Sequence, residues 1–167
     1  MKEILIAAIL DLIIGDPYNF PHPVKLMGRL ISLEEKLVRE INWGRQGRIS
    51  NLKIGGLLIV ISNIILAFTI PYLLLKTIEE YKVLHSIINI YLIYTCIAAR
   101  SLDKEAMKVY YGLDKGIEEA RYKLSYIVGR DTKNLSEEEV IRAAIETVGE
   151  NTADGVIAPL FYIMLLG

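Results

Sequence analysis

Apolar residues in this chain fall in blocks, with the charged residues gathered between them. The clearest block runs from Ile54 to Leu75, 22 residues without a charge. As a helix it is about 33 Å long, enough to cross a hydrocarbon core of about 30 Å. Residues 83–99, with only His85 and Asn89 strongly polar, predict a second span near the lower length limit. Residues 4–14 are shorter and interrupted by Asp11, and they either span with help from flanking residues or re-enter the same face. A fourth apolar block, residues 156–167, is a span truncated by the end of the chain.

The polar stretches also carry helical periodicity. From Val24 to Ile41, Leu26, Leu30, Leu33, Leu37 and Ile41 share one face, which predicts an amphipathic helix lying along the membrane surface. A longer pattern, Arg100 to Val128, contains Gly112 and Gly116. Each costs about 1 kcal/mol inside a helix, so the pattern predicts a break there and a helical hairpin. The alternative is a glycine face for close packing. Gly129 is expected to end the second arm, and Ser136 with Glu139 has the spacing of a capping box. The reading is all-α: a multi-pass helical membrane protein with cytoplasmic amphipathic helices and a hairpin, forming one domain over residues 1–167.

Charge sets the orientation. Residues 15–53 carry Lys25, Arg29, Lys36, Arg39, Arg45, Arg48 and Lys53, whereas the turn between the long spans carries only Lys76 and Lys82. The positive-inside rule therefore places 15–53 and 100–155 in the cytoplasm, at the cell membrane. Trp43, beside Arg45 and Arg48, fits an interfacial anchor. The apolar share of 53% and mean hydropathy of +0.36 agree with a lipid bilayer as partner. A net charge of −1 leaves no basic surplus for nucleic acid. The single cysteine, Cys96, is expected to be a small buried apolar residue. Asp11, with Gly15-Asp16-Pro17 following, breaks the pattern of a cleaved signal peptide. No phosphate loop, dinucleotide fingerprint, serine-hydrolase elbow or zinc-protease motif is present.

Four stretches carry candidate chemistry. Arg142, Glu146, Glu150 and Asp154 recur every four residues, so one continuing helix would stack them on a face. Arg142 can pair with Glu146. Glu146, Glu150 and Asp154 offer hard oxygen ligands to Mg²⁺, with Asn151 adjacent; a solvated helix face is the alternative. Around Asp16, the prolines Pro17, Pro21 and Pro23 stiffen a loop that presents His22, as a proton carrier or phosphate ligand, ahead of Lys25 and Arg29. A rigid interfacial turn is the bland reading. Asp11 in an apolar segment is a functional candidate in its own right. Arg100 at the exit of the second span, and Arg130 in a polar turn, complete the set.

The ordered blocks GDPYNFPHPVKLMGRLI, AARSLDKEA, IVGRDT and AIETVGENTADGVIAPLFY resemble the adenosylcobinamide-phosphate synthase family of cobalamin biosynthesis (CobD/CbiB). The run Glu150 to Phe161 is the most specific part, and the resemblance covers essentially the whole chain. It implies a longer multi-pass architecture, of which this chain is the N-terminal half. It further implies an amide-forming ligase that joins adenosylcobyric acid, a corrinoid, to aminopropanol or its phosphate with ATP and Mg²⁺. On that basis Asp16, His22 and Glu146 are expected to be catalytic, and Glu146, Glu150 and Asp154 to hold the metal. Lys25, Arg29, Arg100, Arg130, Arg142 and Asn151 are expected to contact phosphate or substrate. Expected partners are the missing C-terminal half or other membrane proteins of the cobalamin pathway. A non-catalytic corrinoid-binding scaffold and a small transporter are the competing readings.

Overall fold

The computed structural model describes residues 1–17, 21–43 and 49–166. Among the described residues the structure is all-helical, as the apolar periodicity predicts: α1 (Lys2–Ile14), α2 (Pro23–Trp43), α3 (Ile49–Thr77), α4 (Lys82–Tyr94), α5 (Ala99–Lys115), α6 (Ile117–Leu124), α7 (Glu137–Thr152), a π-helical turn (Ala153–Ile157) and α8 (Ala158–Leu166). Two stretches, Leu52–Thr77 and Lys82–Lys115, are helical, long and apolar enough to cross a membrane. The second is interrupted. Its apolar part, α4, ends at Tyr94, and the chain turns through residues 95–98 before the charged α5 begins. Phe20, Arg45 and Arg48 lie outside the described residues, as does the side chain of Trp43, so the anchor reading falls there.

The chain divides into two compact units, residues 19–92 and residues 1–18 with 93–167. Within the first, α2 and α3 run antiparallel: Val38 packs on Gly55, and four residues earlier Glu34 reaches Ser62 and Asn63 of α3. The Glu34 carboxylate accepts from Ser62 Oγ at 3.0 Å and from Asn63 Nδ2. The stripe of Leu26, Leu33, Leu37 and Ile41 stays exposed. The polar side carries the pairs Arg39–Glu35 and Lys36–Glu40 at i,i+4 spacing.

In the second unit the core is the hairpin of α5 and α6 against α7: Val109, Ala120, Leu124, Val140 and Ala143 are fully or almost fully buried. Burying each Val or Leu side chain stabilises by roughly 1.5–3 kcal/mol. The hairpin turns at Gly116, whose φ of 122° and ψ of 159° are open essentially to glycine alone. Gly112 does not break the helix. It lies within α5, where an added Cβ would stand 3.0 Å from Ala120 Cα, so it is the close-packing contact. Gly129 does not end α6 either. The Ile127 and Val128 N–H groups both turn back to Leu124 O, closing the helix four residues earlier. Cys96 lies exposed in the turn after α4, not buried.

The capping box of α7 is complete. Glu139 Oε2 accepts the Ser136 N–H at 2.7 Å, and Ser136 Oγ accepts the Glu139 N–H at 3.3 Å. The Ser136 N–H, and then the Ser136 hydroxyl, hold the Glu139 carboxyl below the ordinary glutamate range. Ser136→Ala should lower stability by about 1 kcal/mol. A lowered folded-state value means that the charge of Glu139 contributes fully above the ordinary carboxylate range and is lost as pH falls through the folded value. Unfolding midpoints of wild type and Glu139→Gln should therefore differ at neutral pH and converge in acid. A gap that widens in acid would count against this account.

Candidate functional site

The site assembles around the start of α5. Ala98 precedes the helix and has no capping side chain, so the first N–H groups need an outside acceptor. Asp11 of α1 supplies it: its Oδ2 accepts the Arg100 N–H at 3.2 Å, and the residue is 1% exposed. A buried carboxylate at a helix N-terminus satisfies the orphan donor and meets the positive end of the dipole.

The α1 terminus wraps over the same point. Gly15 (φ 66°, ψ −153°) turns the chain, and its carbonyl accepts from Tyr94 Oη. A side chain there would collide with Arg100, because an added Cβ would stand 2.8 Å from Arg100 Cγ. Beyond it, the Asp16 N–H donates to Ser101 Oγ at 3.2 Å, and Lys104 Nζ reaches Ile14 O at 3.4 Å. Arg100 Nη1 pairs with Asp103 Oδ2 at 3.1 Å, while its Nε is shielded from solvent with no acceptor. The third contributor is the π-helical turn, whose Gly155 carbonyl accepts the Ala98 N–H at 3.0 Å. Three of the sequence blocks, those holding Asp16, Arg100 and Asp154, thus meet at one helix terminus.

The fourth block contacts α7 through Arg130, whose Nη2 pairs with Glu146 Oε2 at 3.0 Å. Glu146 therefore pairs with Arg130, not with Arg142 one turn before it. The four-residue ladder keeps α spacing through Glu150, but Asp154 lies in the π turn, so the single continuous helix assumed for it does not hold. Turns of this kind recur at functional sites. Asn151 Nδ2 folds back onto Thr147 O at 2.9 Å. Among the described residues no three His, Cys, Asp or Glu side chains gather into a metal-holding group. The structure therefore does not gather Glu146, Glu150 and Asp154 into one three-residue ligand set among the described residues.

The remaining candidates belong to the other unit. His22 Nδ1 accepts the Val24 N–H at 3.3 Å at the start of α2. Lys25, Arg29 and Lys36 line one shallow groove along α2, of about 690 Å³. Sequence reasoning assigned no role to Ser101, Lys104 or Tyr94. The signal for the first two was present: a serine and a lysine in the first turns of a helix behind Arg100 share its terminus.

Chemically, the α5 terminus offers a guanidinium, an ammonium and a hydroxyl close together, with Asp11 as the buried acceptor at the helix start. Such a set suits a phosphate, carboxylate or carboxamide ligand.

Comparison with known proteins agrees with the sequence blocks. Residues 4–167 match the family described as CobD/Cbib protein. The chain is 49% identical to the cobalamin biosynthesis protein CobD of Clostridium acetobutylicum, over 100% of this chain and 52% of that protein. It is 52% identical to the protein of the same name from Clostridium tetani, over 99% and 51%, and 44% identical to that of Pelobacter propionicus, over 97% and 49%. The chain spans about half the length of the curated relatives it matches. No solved structure matches it.

Proposed function

Since the chain belongs to the CobD/CbiB protein family, we propose that it forms part of a membrane ligase of cobalamin biosynthesis, one that attaches aminopropanol or its phosphate to adenosylcobyric acid. The observation that carries this reading is the meeting of the Asp16, Arg100 and Asp154 blocks at the start of α5. The family's sequence blocks are far apart in the chain, and a fold that joins them points to a shared site.

In this reading a corrinoid carboxylate oxygen attacks the γ-phosphorus of ATP, ADP leaves, and an acyl phosphate forms. The amine nitrogen adds to the acyl carbon, the carbon–oxygen bond to phosphate breaks, and phosphate leaves with the bonding pair. The ammonium proton passes to a base, for which Asp16 and His22 are the candidates. Arg100, Lys104 and Arg130 offset the charge on the transferring group. Lys25, Arg29, Arg142 and Asn151 are assigned to substrate contact. Glu146, Glu150 and Asp154 would hold Mg²⁺ together with phosphate oxygens and water, and the ion would neutralise charge on the phosphates.

The apolar run Leu52–Thr77 and its exposed leucines and isoleucines support a membrane location, with residues 15–53 and 100–155 on the cytoplasmic side.

The test is product formation by mass spectrometry from adenosylcobyric acid, aminopropanol phosphate and ATP, using this chain and the full-length C. acetobutylicum relative in detergent. Arg100→Ala should reduce kcat/KM roughly 10- to 100-fold, the value of a charged hydrogen bond to phosphate. Arg100→Lys should recover part of it. Corrinoid binding without ATP consumption by either protein would favour the scaffold reading, and full activity of Arg100→Ala would remove the site.

A further inference from the structure

We propose that the groove at the α3–α4 turn binds the phosphate of an anionic phospholipid headgroup, an inference that rests on the membrane part of the reading above. The groove has a volume of about 650 Å³ and is lined by Tyr72, Lys76, Glu79, Lys82, His85 and Ser86. It lies wholly within the unit of residues 19–92 and shares no residue with the α5 site.

Its charge is unbalanced. Two ammonium groups face one carboxylate, and neither lysine takes part in an ion pair among the described residues. Lys76 closes the last turn of α3 and lies 5.8 Å from the centre of the Tyr72 ring, a cation–π contact that holds the ammonium at the groove. Lys82 is the first residue of α4, whose first turn has no acidic residue. A cation at the positive end of a helix is unfavourable, and an anion in the groove offsets both the lysine and the helix terminus. Ser86 adds a hydroxyl one turn further on.

The surroundings select the source of that anion. Leu75 lines the groove, and Leu73, Val83 and Leu84, chain neighbours of lining residues, are 52%, 76% and 45% exposed. A free phosphate ion would leave those side chains bare, whereas a phospholipid places its acyl chains on them. Basic groups above an apolar helix pair have the chemistry of an interfacial lipid site.

The experiment assembles the full chain into nanodiscs of phosphatidylcholine and phosphatidylglycerol at three to one, and identifies the lipids that stay bound by native mass spectrometry. Wild type should hold phosphatidylglycerol over phosphatidylcholine at a ratio above that of the disc, and the Lys76→Ala/Lys82→Ala double variant should return that ratio to the bulk value, each lysine contributing roughly fivefold to it. Lys76→Arg/Lys82→Arg should keep the raised ratio, and Lys115→Ala/Lys133→Ala, with the same total charge loss in the polar hairpin region, should leave it unchanged. Retention of the two lipids by wild type at the ratio of the disc overturns the proposal, as does an enrichment that tracks total charge. Binding of inorganic phosphate without phosphatidylglycerol enrichment also overturns it. Incorporation into discs of phosphatidylcholine alone separates the two readings: a chain that stays out of them defeats the membrane location itself.

Discussion

Gly15→Ala should be among the most damaging single-methyl additions in the chain. Two independent penalties fall on it. The backbone at φ 66° and ψ −153° lies where only glycine is at ease, so any side chain costs about 1–3 kcal/mol. The added Cβ would also stand 2.8 Å from Arg100 Cγ and 3.1 Å from Arg100 Cβ, near the root of that side chain. Arg100 is anchored there by its own backbone N–H on Asp11, so it has little room to retreat. The expected result is a clear fall in the unfolding midpoint in detergent, with product formation down at least as far as in Arg100→Ala. Gly129→Ala is the matched control, since its Cβ would meet nothing within 4 Å and its φ is not positive. Its midpoint should stay close to wild type, within about 0.5 kcal/mol. Equal behaviour of the two variants would remove the claim that the α1 terminus is built around glycine.

Much of this site was legible in the sequence, and the limits are physical. Helix identity followed from periodicity, so the hairpin, the capping box and the amphipathic α2 all appear where the pattern puts them. Which glycine turns the hairpin was not legible, because Gly112 and Gly116 look alike until the partner surface is known; Ala120 decides it. The acidic ladder was read on α-helical spacing, and a π turn is invisible to that count. Pairing across the chain was also out of reach. Arg130 stands 16 residues from Glu146, and nothing in local spacing prefers it over Arg142 at i−4. Glu34 gave no signal either, since an acidic residue on an amphipathic helix reads as surface until Ser62 and Asn63 are found opposite it. The terminal blocks converge for a reason that sequence states only in outline: a lone aspartate in an apolar helix needs donors, and a helix beginning after alanine needs an acceptor.

That complementarity makes Asp11 the second position where a large effect is expected. Its carboxylate is nearly sealed from solvent, and it answers an N–H that lies 89 residues away in the chain. Asp11→Ala leaves that donor without its acceptor in a buried place, a loss of about 1–3 kcal/mol, and it opens a space the size of the carboxylate. Asp11→Asn separates two contributions, because the amide oxygen can still accept the N–H while the negative charge is gone. If the hydrogen bond dominates, Asn restores the unfolding midpoint and Ala does not. If the charge dominates, by meeting the helix terminus and neighbouring Arg100, both variants fall together. In either case Asp11 acts by positioning Arg100, so the kinetic signature should be a lowered kcat with a smaller change in KM, and no further loss when Arg100→Ala is added. Asp11→Ala with a wild-type midpoint and kcat would show that α5 holds its own terminus and that the carboxylate is a bystander.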